Sequence, residues 1–203
     1  MAPKLSKSFE MSHLKRIFID KPNRSSVMKK TYGFLFTMVC LAALFVAPGQ
    51  SFAQTTMEEF VAKWDNSKQF TLEVVDKMPE NLFDYKPDDG GMSFKEQVTH
   101  LSAAIVMISS NFLKGGDPGF AADAKPATKA ELRAFVEKCY DYGKKTISSL
   151  SDPDRAEKVE IFGSQATRRQ VIALIDDHCT HHRGAAVAYI RANGIEPPRY
   201  RGW

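Results

Sequence analysis

The run Asp177-His178-Cys179-Thr180-His181-His182-Arg183-Gly184 holds three of the five histidines in this 203-residue chain. On a helix, His178 and His182 stand four residues apart, so their imidazoles project from one face, a turn apart. Two nitrogen donors held rigidly in this way are half of a transition-metal site. The same spacing also suits a pair of hydrogen-bonded histidines at the end of a bundle, and spacing alone does not choose between them. His181 falls about 60° from His178 and about 100° from His182 on the helical wheel. That places it at the edge of the apolar stripe, where solvent or an outer role is expected. Cys179 reads as a small apolar filler rather than a thiolate ligand.

Seam phasing sharpens the question. Val171, Ile175, His178, His182, Ala185 and Tyr189 recur in a four–three–four–three rhythm, the pattern of a buried helical face. An imidazole on such a face needs partners for both nitrogens, because an unpaired buried polar group costs about 1–3 kcal/mol. A metal would take one nitrogen from each ring and leave the other N–H for a carboxylate or carbonyl. The remaining histidine of the body of the chain is His100, in Val98-Thr99-His100-Leu101. Periodicity puts it on the flank of its helix, beside the small Ala103 and Ala104. A three-histidine site is therefore allowed but not demanded.

The elements that must position these groups read as helices. Phe60, Trp64, Phe70 and Val74 recur at helical spacing from residue 57 to about residue 77, and Pro79 ends that segment. Residues 80–91 are rich in Asp, Pro and Gly and read as a loop, with Phe83, Tyr85 and Pro87 as packing anchors. Ser93 with Glu96 forms a capping-box pattern ahead of Phe94, Val98, Leu101, Ile105, Ile108 and Phe112. Gly115-Gly116 stops this helix. Thr128 with Glu131 opens a third, through Leu132, Phe135 and Cys139 to Leu150, closed by Asp152-Pro153. Residues 159–164 read as a short extended apolar piece by composition, and Thr167 caps the last helix, which Asn193-Gly194 and Pro197-Pro198 terminate. Four helices of roughly 20 residues, with almost no strand signal, predict an all-α four-helix bundle. The long loops leave room for crossover connections.

The first 53 residues are set apart. Lys29 and Lys30 precede an apolar run of roughly 16 residues, short for a bilayer span and followed by Pro48-Gly49 and Ser51-Phe52-Ala53. This is the pattern of a secretory signal peptide cleaved after Ala53, with Met28 well placed as the true start. Cys40 lies mid-run without a small residue before it, which disfavours a lipoprotein site. Residues 54–203 are then one domain, expected in the periplasm or outside the cell with no stable membrane span. Eight of the 28 Lys and Arg and two of the 24 Asp and Glu lie in the leader, leaving 20 basic against 22 acidic residues. The net charge of +4 thus becomes −2, and the basic footprint of a nucleic-acid binder is absent. Cys139 and Cys179 are the only cysteines left, too few for a disulfide framework.

Several features together resemble the DinB-like superfamily of four-helix bundles, described as metal-dependent hydrolases. They are Met78-Pro79-Glu80-Asn81-Leu82-Phe83-Asp84-Tyr85-Lys86-Pro87, Met92-Ser93-Phe94 leading into Thr99-His100-Leu101, the histidine run itself, and Gly194-Ile195-Glu196-Pro197-Pro198. The resemblance covers nearly all of residues 57–198. It implies a metal triad of one histidine from the second helix and two from the last, which fall on His100, His178 and His182. The chain departs at Ala185, where the family often has Gln.

Three imidazoles leave a divalent metal an open position, as in catalytic sites, and both Zn²⁺ and Ni²⁺ accept such ligands. The activity expected is metal-dependent hydrolysis of a small-molecule substrate, since such metals acidify water towards ~7. Asp177, His181 and Glu96 are the candidate proton shuttles, and Arg183 reads as an anion binder or a surface ion-pair donor. The alternatives are a non-catalytic metal- or ligand-binding bundle and a thiol-dependent transferase, the latter disfavoured by an oxidising compartment. A second copy in a homodimer is the macromolecular partner left open.

Overall fold

Among the described residues, every α-helix starts where an oxygen-bearing side chain can accept from the first free backbone N–H groups. The computed structural model describes residues 55–202, so the apolar run, the cleavage point, Met28 and Cys40 lie outside the described residues. Helix α1 spans Met57–Lys77, α2 Phe94–Phe112, α3 Lys129–Ser148, α4 Asp152–Ala156 and α5 Arg168–Ala192. Each opens with a reciprocal capping box, in order Thr56/Glu59, Ser93/Glu96, Thr128/Glu131, Ser151/Asp154 and Thr167/Gln170. A cap of this kind is worth about 1 kcal/mol, enough to fix a boundary that packing then exploits.

The four long helices form a bundle in which α1 neighbours α3 and α5, and α2 neighbours the same two. Helices α1 and α3 run antiparallel, as Lys144 meets Asp65, Lys68 meets Asp141 and Arg133 meets Asp76. Helix α5 is antiparallel to α2: Arg168 Nε at its start donates to Phe112 O, and Tyr189 near its end meets Gln97. It is parallel to α1, with Lys63 tied to Asp176 and Ser67 to Arg183. Two consecutive helices, α2 and α3, therefore point the same way. The segment between them must return along the bundle, and its end lies beside the start of α2, where Asp123, Pro126 and Ala127 share a groove with Lys95. This is the crossover that the long loops allowed.

The core holds Trp64, Phe94, Leu101, Ile105, Leu132, Tyr140, Ile147, Ile175 and Ile190, all fully buried. Trp64 Nε1 donates to Tyr140 O at 3.0 Å, satisfying the indole inside the apolar interior. Phe83 and Tyr85 anchor the α1–α2 loop as expected, Phe83 stacking near Phe94 and Tyr85 meeting Tyr189 edge-on. Pro87 is exposed and anchors nothing.

Two local expectations are corrected. Helix α3 ends at Ser148, and Asp152-Pro153 opens the separate short α4, since Pro is well tolerated in a first helical turn. Residues 158–167 form a hairpin, β1 Lys158–Ile161 paired antiparallel with β2 Ser164–Thr167, Val159 opposite Ala166. Phe162 and Gly163, at φ 49° and 77°, make its two-residue turn, with the positive angles that a type I′ turn needs. Among the described residues no helix is long and apolar enough to cross a membrane.

Ion pairs tie the hairpin end together. Lys114 reaches Asp154 and Glu157, and Arg168 also reaches Glu157. The Lys114 ammonium holds the Asp154 carboxyl well below the usual range, with Ser151 helping; Arg168 and then Lys114 do the same for Glu157. Folded pKa values depressed in this way contribute stability above the unfolded carboxylate value of about 4 and lose it as pH falls further. Asp154→Asn is accordingly expected to lower the melting temperature at neutral pH. The gap to the parent should close on acidification, in a thermal-melt series from neutral to strongly acidic pH.

Candidate metal centre

Antiparallel packing of α2 on α5 brings His100 against the two histidines of the last helix. The ring centroid of His100 lies 5.1 Å from that of His178 and 4.5 Å from that of His182, and His178 and His182 are 4.5 Å apart. One donor atom from each of the three lies within 4.8 Å of the others. His182 is buried, His178 is half-buried and His100 is the most open of the three. His100 is one wall of a groove of about 760 Å³ that also involves Gly91, Met92, Lys95, Thr99 and Ala103, closed on its far side by the crossover segment.

The electrostatics keep His178 and His182 neutral. Burial, reinforced by the other histidines, pushes the His182 imidazole down to about 4. Burial likewise lowers His178, with His100 and His181 adding to the effect and Asp177 opposing it. A neutral imidazole offers a lone pair; a protonated one offers none.

Hydrogen bonding separates the three rings. His182 Nδ1 lies 2.6 Å from Gln97 Oε1, and Gln97 Nε2 donates to Tyr189 Oη at 3.3 Å. His178 Nε2 is buried and has no hydrogen-bond partner among the described residues. An orphaned ring nitrogen inside a cluster of three imidazoles fits a divalent cation, since nitrogen donors of this kind are what such ions take. Among the described residues no carboxylate belongs to the cluster, so its ligands bring no negative charge.

Other residues of the histidine run are placed differently. His181 is exposed, its ring meeting that of His182 edge-on at 4.8 Å between centroids, and Asp177 is exposed beside His178. Cys179 is fully buried, and burial pushes its thiol up to about 12, as it does for Cys139; neither is a thiolate. The Glu96 carboxylate accepts from Ser93 N at 2.7 Å in the cap of α2 and also lines the groove beside His100. Ala185 packs against the main core.

Arg183 corrects the expectation of a surface or substrate-facing cation. It is buried, with Nη1 donating to Ser67 Oγ at 2.6 Å and Nη2 to Thr180 Oγ1 at 3.3 Å, and its guanidinium lies 5.1 Å from the Phe70 ring centre. The bonds run through hydroxyls: Thr71 Oγ1 donates to Ser67 O, and Tyr140 Oη sits 3.2 Å from Ser67 Oγ and 3.1 Å from Thr71 Oγ1. Arg183 therefore fastens α5 to α1 behind the histidines. Gln97 is the residue near the site that sequence reasoning did not single out for a role. A buried glutamine one turn before a histidine was the available signal, but it has meaning only once α5 is known to cover it.

The sequence matches the DinB family over residues 52–202. YjoA of Bacillus subtilis strain 168 is 24% identical over 150 residues, covering 70% of this chain and 95% of that protein. A DinB-like protein from Bacillus cereus aligns with TM-score 0.62 at 18% identity, covering 71% of this chain and 97% of its own. Crystalline YjoA gives 0.59 at 20%, covering 71% and 99%. YfiT from Bacillus subtilis, a probable metal-dependent hydrolase with an unusual four-helix bundle topology, gives 0.58 at 17%, covering 73% and 94%. At these identities the structural likeness is one of fold.

Proposed function

This chain belongs to the DinB family, and on that footing we propose that it is an exported metal-dependent hydrolase in which His100, His178 and His182 hold one divalent cation. The observation that carries the reading is the buried, unpartnered Nε2 of His178 inside the three-imidazole cluster. Unpaired, that atom costs about 1–3 kcal/mol; a cation removes the cost. The description of YfiT as a probable metal-dependent hydrolase supports the same class of chemistry. When bound, the cation supplies Lewis acidity, polarising a substrate oxygen and making water acidic near neutral pH.

The rest is the work of the chain's own residues. The groove beside His100 admits a small molecule, with Met92 and Ala103 as apolar surface and Thr99 and Lys95 as polar contacts. The exposed His181, against His182, and the exposed Asp177 are the groups placed to carry a proton between the centre and solvent. The leader with its cleavage site after Ala53 supports export to the periplasm or beyond, with residues 54–203 as the working domain. Zn²⁺ and Ni²⁺ both suit the donor set.

Protein purified without a histidine tag is expected to carry close to one equivalent of Zn²⁺ or Ni²⁺ by elemental analysis. A metal-free preparation that gains no melting temperature on titration with either ion would overturn the centre. A panel of ester, amide and phosphoester substrates, run with the metal-loaded protein and a His100→Ala control, tests the hydrolysis. Turnover that disappears in the control supports an enzyme; binding without turnover of any class identifies a non-catalytic metal-binding bundle.

A further inference from the structure

We infer that Gln97 is a positioning residue for this centre: its side-chain amide, oriented by Tyr189, selects the one tautomer of His182 that leaves Nε2 free as a donor. The inference rests on the three-histidine reading above, but it concerns a residue outside the triad and a property that exists before any metal arrives.

The argument begins with burial. Gln97 and Tyr189 are both nine-tenths or more buried, so the amide and the phenol must satisfy each other or the neighbouring imidazole. A neutral imidazole carries one proton on two nitrogens, and the nitrogen bearing it cannot bind a metal. His182 Nδ1 is held 2.6 Å from one end of the Gln97 amide, so the identity of that end decides where the proton sits. If the oxygen faces the ring, Nδ1 must donate and Nε2 keeps its lone pair. If the amide nitrogen faced the ring, Nδ1 would accept, the proton would move to Nε2, and the third donor of the triad would be lost.

The other end of the amide settles the orientation. Tyr189 Oη lies 3.3 Å from Gln97 Nε2. That separation is long for a hydroxyl donating to an oxygen, whose usual range is about 2.5–3.0 Å, and only slightly long for an amide N–H donating to a hydroxyl. The short contact then belongs to the imidazole N–H and the amide oxygen. Tyr189 is itself fixed: its ring meets Tyr85 edge-on at 5.9 Å between centroids, so its hydroxyl has a defined position.

A chain of donors thus runs one way, from His182 Nδ1 to Gln97 Oε1 and from Gln97 Nε2 to Tyr189 Oη. The groups sit on two helices whose antiparallel contact also builds the triad, so packing and tautomer are set together. An amide does this without adding charge. A carboxylate in the same place would also raise the ring's basicity, whereas Gln97 leaves the donor set neutral.

The experiment is nitrogen-detected NMR of the histidine rings in the metal-free protein, combined with zinc titration against a competing chelator. In the parent, His182 is expected to be protonated at Nδ1 and bare at Nε2. In Gln97→Leu, the acceptor is gone, the Nε2-protonated form should become the main species, and zinc should bind about 10–100-fold more weakly. Tyr189→Phe frees the amide to rotate and should give a mixture of tautomers with a smaller loss of affinity. Gln97→Glu retains the acceptor and should bind zinc at least as tightly as the parent. A parent whose His182 carries its proton on Nε2 would overturn the inference, as would a Gln97→Leu variant with unchanged tautomer and unchanged zinc affinity. Should Gln97→Leu fail to fold, the parent spectrum and Tyr189→Phe still decide. A parent that binds no zinc would end the metal reading, while the ring spectra would still judge the role of Gln97.

Discussion

Replacing His178 with alanine is expected to abolish stoichiometric metal while leaving the metal-free protein as stable as before, or slightly more so. Loss of one of three ligands should weaken binding by more than a hundredfold, on the order of 3 kcal/mol, given that four-ligand structural sites reach about 10–16 kcal/mol. The stability expectation has the opposite sign to the usual one. Truncating a packed side chain lowers stability, but His178 Nε2 is a buried atom without a partner among the described residues, and deleting it removes a cost of about 1–3 kcal/mol. The ring is only half-buried, so solvent can refill much of its volume. Thermal melts of parent and variant, each with and without added zinc, read both quantities. The parent should gain melting temperature with zinc and the variant should not. A metal-free variant that melts far below the metal-free parent would mean that His178 is an ordinary packing residue, and the case for the centre would fall.

Gly143→Ala should destabilise the bundle by about 1–3 kcal/mol, which for a domain of this size is several degrees of melting temperature. Within an exposed helix the same change would stabilise by roughly 1 kcal/mol, because alanine is the better helix former. Here the site inverts the sign. A Cβ at Gly143 would lie 2.6 Å from Ile105 Cγ2 and 2.9 Å from Trp64 Cζ2. Ile105 and Trp64 belong to α2 and α1, both fully buried, so neither a branched methyl nor an indole edge can give way without moving its helix. Gly143 sits where α3 passes between those two helices, and α2 carries both His100 and Gln97. Chemical or thermal unfolding measures the loss directly. A variant as stable as its parent would show that the three helices can move apart there, and that the triad is less firmly supported than the packing implies.

Much of this architecture could be read from local pattern. The caps at Ser93, Thr128 and Thr167 and the periodic apolar residues behind them defined α2, α3 and α5, because capping and amphipathicity act within a few residues of one chain segment. The extended character of residues 159–164 is legible, but the pairing of Lys158–Ile161 with Ser164–Thr167 is not, because the second strand is short and polar and the register depends on the turn at Phe162-Gly163. Arg183 was misjudged for a related reason. Its wheel position lies off the α2-facing seam, but α5 is also covered by α1, and Ser67, Thr71 and Phe70 receive it there.

The residues with metal-binding capacity were determined by the sequence alone: the i, i+4 pair of His178 and His182 is a property of one helix, and helix geometry is local. His100 and Gln97 are different. Each sits on a helix whose own periodicity says only that it flanks a seam, and their meaning comes from another helix running antiparallel alongside. That arrangement follows from the residue 113–128 crossover and from packing among four helices, which depends on volumes and contacts far apart in the chain. Tertiary structure therefore decided that three imidazoles meet, which nitrogen of His178 lacks a partner, and which atom of Gln97 faces His182.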